Sequence, residues 1–276
     1  MAAHHTRSNS LPSRSHPFIL EFDEQLCRLK ASPASSISHR LNGFQDLLEC
    51  VERFLLLPLS QQALAQECGD KWINELLDGS LRLLAECGII KDALSQTKER
   101  TYELESIMRR RRGDDLSFMT EVRKYLASRK DVKKAMNKAL KVKESRSTDK
   151  NSEITPAAVN MLKESNAVSI AVFETLLSFI VVSKSKSNHW FSKLVQPKRV
   201  ACEEVEDTNE LEKVDVALNS LISDKSRKFD YTIELENVQC LLQELEAKIQ
   251  DIEERIEGLF RRLIKARVAL LNIFNH

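Results

Sequence analysis

The chain has 276 residues and a formal net charge of +1. Its apolar content of 42%, with only six glycines, six prolines and 6% aromatic residues, excludes disorder over the whole chain, disfavours a sheet protein and predicts an all-α fold. Because the net charge is near zero, there is no global field to attract nucleic acid or an anionic membrane, and such binding would need a local patch.

The first predicted element is a disordered basic arm over residues 1–17, which contains several serines, two prolines and no acidic residue. Within the arm, Arg7 stands three residues before Ser10, and Pro12 stands two residues after it. This spacing resembles the phosphoserine motif that 14-3-3 adaptor proteins read. Phosphate on Ser10 would add about two negative charges for a partner's arginines to bind. We predict phospho-docking through Arg7, Ser10 and Pro12; the alternative is a solubilising tail whose motif matches by chance.

Apolar residues at helical spacing predict a short amphipathic segment over residues 18–30 and a second helix over residues 39–57, which Pro58 ends or turns. The same period continues from residue 59 to Arg112. Its predicted core stripe consists of Trp72, Leu76, Leu77, Leu81, Leu84, Ile90, Leu94, Leu104 and Ile107. Glycines within this region weaken the helix locally, but they can also let another helix approach closely.

Residues 114–143 are the next predicted helix, and its two leading aspartates favour a helix start. The expected core stripe is Leu116, Met119, Val122, Leu126, Val132, Met136 and Leu140. A basic patch is predicted at Arg109, Arg110, Arg111, Arg112, Lys133 and Lys134. This patch could bind anionic lipid or serve as a nuclear localisation element; the alternative is simple compensation of the helix dipole. Nucleic-acid binding is disfavoured because aromatic residues do not interleave with the basic ones.

The most apolar stretch lies at residues 168–182. It is shorter than the roughly 20 residues that span a bilayer, and Glu174 interrupts it, so a buried central helix is favoured over a membrane-inserting hairpin. A basic connector over residues 183–199 and an acidic segment follow, and then a helical pattern over residues 211–222.

The clearest pattern is a heptad repeat over residues 235–273, sustained for about six repeats. The predicted seam consists of Leu235, Val238, Leu242, Leu245, Ile249, Ile252, Ile256, Leu259, Leu263, Ala266, Leu270 and Ile273. We expect this seam to pack within the chain; pairing with a second chain as a homo-oligomer stays open. The chain is thus predicted to be an elongated helical bundle over residues 18–276, closed by a coiled-coil-like helix and preceded by the arm.

The search for catalytic and metal-binding motifs is negative. No phosphate-binding glycine loop, nucleophile elbow or metalloprotease motif occurs, and no histidine pair has metal-ligand spacing on one helix face. The six cysteines form no CxxC pair and are expected to be reduced thiols of an intracellular protein. We therefore expect no enzyme activity, no cofactor and no metal. Cytoplasmic localisation is predicted, with the membrane periphery or the nucleus as alternatives.

Several runs of the chain resemble the plant Bypass-related family. They are RSNSLPSRSHP, LPLSQQALAQECGDKWINELLDGSLRLLAECGIIKDALSQTKE, IMRRRRGDD, EVRKYLASRKDVKKA and LFRRLIKARVALLNIFNH. The resemblance implies a plant protein with an all-helical fold that is associated with root and shoot development. It implies no enzymatic activity and transfers no site residues. The expected function is a non-enzymatic regulatory protein acting through helix-face contacts with protein partners; the alternative is a peripheral membrane or trafficking factor that binds anionic lipid.

Overall fold

The computed structural model describes residues 17–31, 36–67, 69–110, 115–144, 157–181, 209–223 and 231–275. Within these ranges the chain forms eight α-helices and no strand, which confirms the predicted all-α class. The helices are α1 (Pro17–Ala31), α2 (Ile37–Leu56), α3 (Pro58–Glu67), α4 (Asp70–Arg110), α5 (Asp115–Glu144), α6 (Ala157–Val181), α7 (Glu210–Ser223) and α8 (Tyr231–Phe274). The predicted arm lies outside the described residues except for Pro17, which begins α1.

Local sequence signals explain where the first helices begin. Ser36 caps α2, and its side chain accepts a hydrogen bond from the backbone N–H of His39. Pro58 begins α3, at a helix position where its missing N–H costs nothing. The single helix expected from residue 59 to Arg112 is instead two helices, because a new one starts after Gly69. The carbonyl of that glycine accepts the first backbone hydrogen bonds of α4.

The two longest helices, α4 and α8, form the frame of the bundle. They contain 41 and 44 residues, so each is about 60–65 Å long. Lys98 of α4 pairs with Glu253 of α8 at 2.7 Å, whereas Ser80 meets Arg267 at 2.7 Å. These contacts run in opposite order along the two helices, so α4 and α8 are antiparallel.

At one end of this frame, α2 and α6 complete a four-helix core. Ser38 of α2 donates to Asp251 of α8 at 2.8 Å, and Glu49 pairs with Arg262 at 3.0 Å, so α2 runs parallel to α8. A cavity of about 50 Å³ lies between α2, α4, α6 and α8 and is lined mainly by apolar side chains. The near-complete filling of this space by side chains is what a single folded core requires.

At the other end of the frame, α5, α7 and the last part of α6 complete the core. α5 packs on α4 and α6, and α7 packs on α8 and α5. Among the side chains described for residues 117–140 of α5, those of Phe118, Val122, Tyr125, Arg129, Val132 and Met136 are buried. The predicted stripe of this helix therefore missed Phe118 and Tyr125, while Met119 and Leu126 are only half-buried.

The seam of α8 faces the interior of the chain. All its predicted residues from Val238 to Ile273 are buried, and Leu235 is half-buried near the start of the helix. Their partners are α2, α4 and α7 of the same chain. Supercoiling and pairing with a second chain stay predictions. On α4, the predicted core residue Leu81 is instead 52% exposed, and Leu83 and Cys87 are buried in the core stripe.

Helix α6 is the one helix among the described residues that is long and apolar enough, by length and composition, to cross a membrane. This is weak evidence, since the core helix of a soluble protein meets the same criteria. The helix has 25 residues, more than the apolar stretch considered from the sequence, so its length does not exclude a span. In the fold it packs against α2, α4 and α5, as expected for a buried central helix.

Two glycines of α4 have opposite surroundings and give a matched test of the packing. A Cβ at Gly79 would lie 2.6 Å from Nδ2 of Asn166 on α6, whereas a Cβ at Gly88 would meet no atom within 4 Å. We expect Gly88→Ala to raise the free energy of unfolding by about 0.5–1 kcal/mol, the usual gain for alanine inside a helix. In Gly79→Ala, the steric contact between the new Cβ and Asn166 should cancel this gain in the free energy of unfolding. Urea unfolding of both variants measures the difference, and equal stabilisation would contradict the close α4–α6 approach.

Candidate functional site

The predicted phospho-docking residues Arg7, Ser10 and Pro12 lie outside the described residues, as do Arg111 and Arg112 of the basic patch. The two arginines of that patch that the structure describes form different contacts. Arg109 is exposed and pairs with Glu105 at 2.6 Å, and Arg110 donates to the carbonyl and hydroxyl of Ser106.

The two lysines of the predicted patch have different environments. Lys134 is exposed on α5. Its neighbour Lys133 is half-buried, and its Nζ lies 2.7 Å from a carboxylate oxygen of Asp215 on α7. Lys133 therefore forms an ion pair between α5 and α7. The exposed basic surface of α5 is smaller than the sequence indicated.

A buried ion cluster surrounds Arg129, which the sequence analysis did not single out. Its side chain is 2% exposed, and its guanidinium lies 3.4–3.5 Å from the carboxylate of Asp215 and 3.2 Å from the carbonyl oxygen of Ile180. Its Nη1 has no hydrogen-bond partner among the described residues. Tyr125 is buried beside this cluster, and burial raises the pKa of its hydroxyl. A tyrosine in such a position stays neutral and cannot act as a base near pH 7.

The same cluster fixes the position of α7. Asp215 brings α7 to α5, and the Asn209 side chain joins the start of α7 to the end of α6 by donating to the carbonyl of Phe179. The Asn209 side-chain oxygen also accepts from the backbone N–H of Leu211, so this residue caps the helix. The arrangement orients helices, and it brings together no nucleophile and base, so we assign it a structural role.

A second buried acid lies near the end of α4. The side chain of Glu105 is 2% exposed, and one of its oxygens has no hydrogen-bond partner among the described residues. Burial raises the pKa of this carboxyl, the charge of Glu246 on α8 raises it further, and Arg109 partly opposes both effects. The adjoining cleft has a volume of about 210 Å³.

We expect Glu105→Gln to make the protein more stable at neutral pH. A carboxyl whose pKa is higher in the folded than in the unfolded state destabilises the fold when it is ionised. As the pH falls towards the raised pKa, the wild-type carboxyl takes up its proton and the two proteins should converge. Thermal unfolding over a series of pH values measures the gap. A gap that persists unchanged at acidic pH would show that the effect does not come from ionisation.

An open groove lies between α4 and α8, on the side facing away from the core. One end of this α4–α8 groove is apolar. Leu81 is 52% exposed, Ile264 is 41% exposed and Val268 is 49% exposed. The contact between Ser80 and Arg267 places Leu81 and Val268 at the same level, on adjacent helices. Exposed apolar side chains grouped at one level of two adjacent helices are typical of a contact surface, whereas single exposed apolar residues are ordinary.

The other end of the groove is polar and has a volume of about 640 Å³. Its lining residues are Lys91, Asp92, Ser95, Glu253, Glu254, Glu257, Gly258 and Arg261. Lys91 and Arg261 both pair with Glu257, and Glu253 pairs with Lys98. Within the described part of the chain, Asp92 and Glu254 form no salt bridge. The polar end therefore has an excess of negative charge.

Two glycines lie along the groove side of α4 and α8. Gly258 lines it, and Gly88 lies on the same side of α4 as Leu81 and Ser95, since these three residues are spaced seven apart. A Cβ at either glycine would meet no atom within 4 Å. Glycines can let another helix approach closely, but the apolar period of the sequence predicted Leu81 in the core stripe. The exposure of that residue, which reveals the groove, depends on the helix register and was not visible in the sequence.

No group of three or more histidine, cysteine, aspartate or glutamate residues that could hold a metal occurs within the described ranges. Of the cysteines placed in these ranges, Cys50 and Cys87 are buried and Cys27 and Cys240 are exposed, and all four are free thiols. Burial raises the pKa of Cys87 to about 12, so it stays a thiol near pH 7. The described residues offer exposed helix surfaces for contacts with other molecules.

Comparison with known proteins gave one finding. A family model described as Protein BPS1 matches residues 40–273. A search of curated proteins and a search of solved structures returned no match.

Proposed function

Because this chain belongs to the Protein BPS1 family, the Bypass-related family of plants, we propose that it is a non-enzymatic regulatory protein of root and shoot development that acts by binding protein partners through helix surfaces. The family suggests the developmental role, and the geometry suggests the mode of action. The binding surface in this proposal is the α4–α8 groove.

The observation that supports this proposal is that one side of α8 is buried within the chain while the opposite side has exposed apolar residues. Its heptad seam is buried against helices of the same chain, so it is already occupied. On the outward side, Ile264 and Val268 are exposed next to Leu81 of α4. Exposed apolar side chains lose contact with water when a partner covers them, and this gain favours association.

The proposal can be tested by rescue in a plant line that lacks the protein. The variant L81S/V268S removes apolar side chains from the groove without touching the core. A control is Val216→Ser on α7, since Val216 is also exposed, at 62%, and does not line the groove. We expect wild type and the control to restore root and shoot growth, and the groove variant to fail at equal protein abundance. Full rescue by the groove variant would overturn the proposal.

The arm adds a second, separable contact in this proposal. Phosphorylated Ser10, with Arg7 and Pro12 in the required positions, would bind a 14-3-3 adaptor. Co-purification from plant tissue of the intact chain and a Ser10→Ala variant, with partners identified by mass spectrometry, tests this contact. Adaptors that appear only with the intact chain support it. The same adaptors with both proteins would show that Ser10 is not the docking residue.

The second candidate function is a peripheral membrane or trafficking factor in the cytoplasm, and the exposure of Arg109 and Arg110 at the end of α4 favours it. Each basic residue near an anionic bilayer contributes about 1 kcal/mol, and salt screens the attraction. Flotation with vesicles rich in phosphatidylserine should therefore fall when salt is raised, and again in the variant R109Q/R110Q. Flotation that is unchanged in this variant would exclude Arg109 and Arg110 as the residues that contact lipid.

A further inference from the structure

The two ends of the α4–α8 groove differ in chemistry, and this difference specifies a kind of partner. We propose that the groove binds a basic amphipathic helix of a partner protein. In this complex the apolar side chains of the partner helix contact Leu81 and Val268, and its lysines or arginines contact Asp92 and Glu254. The inference rests on the proposed function and names the chemistry of the partner at the same surface.

The length of the groove fits a helix of moderate size. Along α8, the distance from Glu254 to Val268 is about 21 Å at a rise of about 1.5 Å per residue. A partner helix of about 14 residues, or about four turns, therefore reaches from the acidic end to the apolar end. An extended peptide would need fewer residues for the same distance, but it would leave backbone N–H and C=O groups without partners against an apolar surface.

The excess of carboxylates at the polar end of the groove favours a positively charged partner helix. Four carboxylates and two cations line the polar end, and both cations pair with the same residue, Glu257. A basic helix brings the missing cations to Asp92 and Glu254, whereas an acidic helix would be repelled. Complementary charge of this kind governs specificity and the rate of association more than the final affinity, which comes mainly from apolar contact.

The glycines decide how closely the partner can approach. Gly258 lines the polar end, Gly88 lies on the same side of α4 as Leu81, and a Cβ at either would meet no atom within 4 Å. Where a helix surface lacks side chains, the backbone of a second helix can come nearer and make more contacts. A large side chain at Gly258 should therefore fill the groove without disturbing the fold, because nothing lies within 4 Å of its Cβ.

The test uses the full chain and two fluorescent helical peptides, each of about 14 residues. Both peptides have the same leucines on one face; one has lysines and the other has glutamates at the remaining positions. Fluorescence anisotropy measures the Kd of each peptide. We expect the lysine peptide to bind the wild type at least about tenfold more tightly at low salt. The charge-reversal variant D92K/E254K should invert this preference.

Three further variants locate the binding. L81S/V268S and Gly258→Leu should weaken both peptides, while Val216→Ser should change neither. Absence of binding by both peptides, or an unchanged preference in D92K/E254K, would overturn the inference. If that preference is unchanged but L81S/V268S still fails to rescue plant growth, the proposed function stands and only the basic partner is wrong. If L81S/V268S rescues growth, the proposed function itself fails.

Discussion

Replacing Asp215 by alanine is expected to lower the free energy of unfolding by about 3–5 kcal/mol, the usual cost of leaving a buried charge without its partner. Asp215 is the one carboxylate that contacts both Arg129 and Lys133 within the described residues. Arg129 is 2% exposed, so without Asp215 its guanidinium would stay buried, and among the described residues only the carbonyl of Ile180 would remain as its partner. Urea unfolding monitored by circular dichroism measures the loss.

Two controls separate the charge effect from the loss of a side chain. Asp92→Ala removes an exposed aspartate and should change stability by less than about 0.5 kcal/mol. The double variant R129M/D215L replaces the ion pair with apolar side chains, and we expect it to recover most of the stability that Asp215→Ala loses. If the double variant is as unstable as Asp215→Ala, the cost does not arise from the unpaired charge of Arg129.

The second large effect is expected in the seam of α8. Ile256 is fully buried where α8 meets α4, and the Cys87 thiol on α4 contacts its backbone carbonyl. Ile256→Ala removes three carbon atoms from a packed core and should cost about 2–5 kcal/mol. Ile264→Ala on the exposed side of the same helix is the matched control and should cost much less. Thermal unfolding of both variants measures the difference.

The Ile256→Ala variant also tests where the seam packs. If the seam packs within one chain, the midpoint of thermal unfolding should not depend on protein concentration in either wild type or variant. If instead two chains share the seam, the midpoint should rise with concentration. A concentration-dependent midpoint would contradict the packing of α8 on α2 and α4.

The heptad helix was predictable because its signal is long and local. Every seam residue from Val238 to Ile273 is buried, since a repeat over about six heptads fixes one face of the helix without knowledge of its neighbours. The predicted start of α2 was less accurate. The sequence indicated residue 39, whereas the helix begins at Ile37 after the Ser36 cap. Helix ends depend on a few capping contacts, and these are weaker signals than a repeat.

The functional surfaces were harder to predict, because they depend on which helices become neighbours. Arg129 looked like one cation among many on a basic helix, and only the arrival of α7 makes it a buried partner of Asp215. Leu81 fits the apolar period of α4, yet no helix of the described chain covers it. Residues that are far apart in sequence build both features, and one sequence alone does not show how they pair.

The pairing of α2 with α8 has a consequence for synthesis on the ribosome. Ser38 and Asp251, which join these helices, are 213 residues apart in the chain. At a translation rate of about 5–20 residues per second, the apolar face of α2 waits about 10–40 s for α8 to be made. During this time it is open to aggregation or to binding by a chaperone. The nascent chain therefore cannot complete its four-helix core until α8 has been translated.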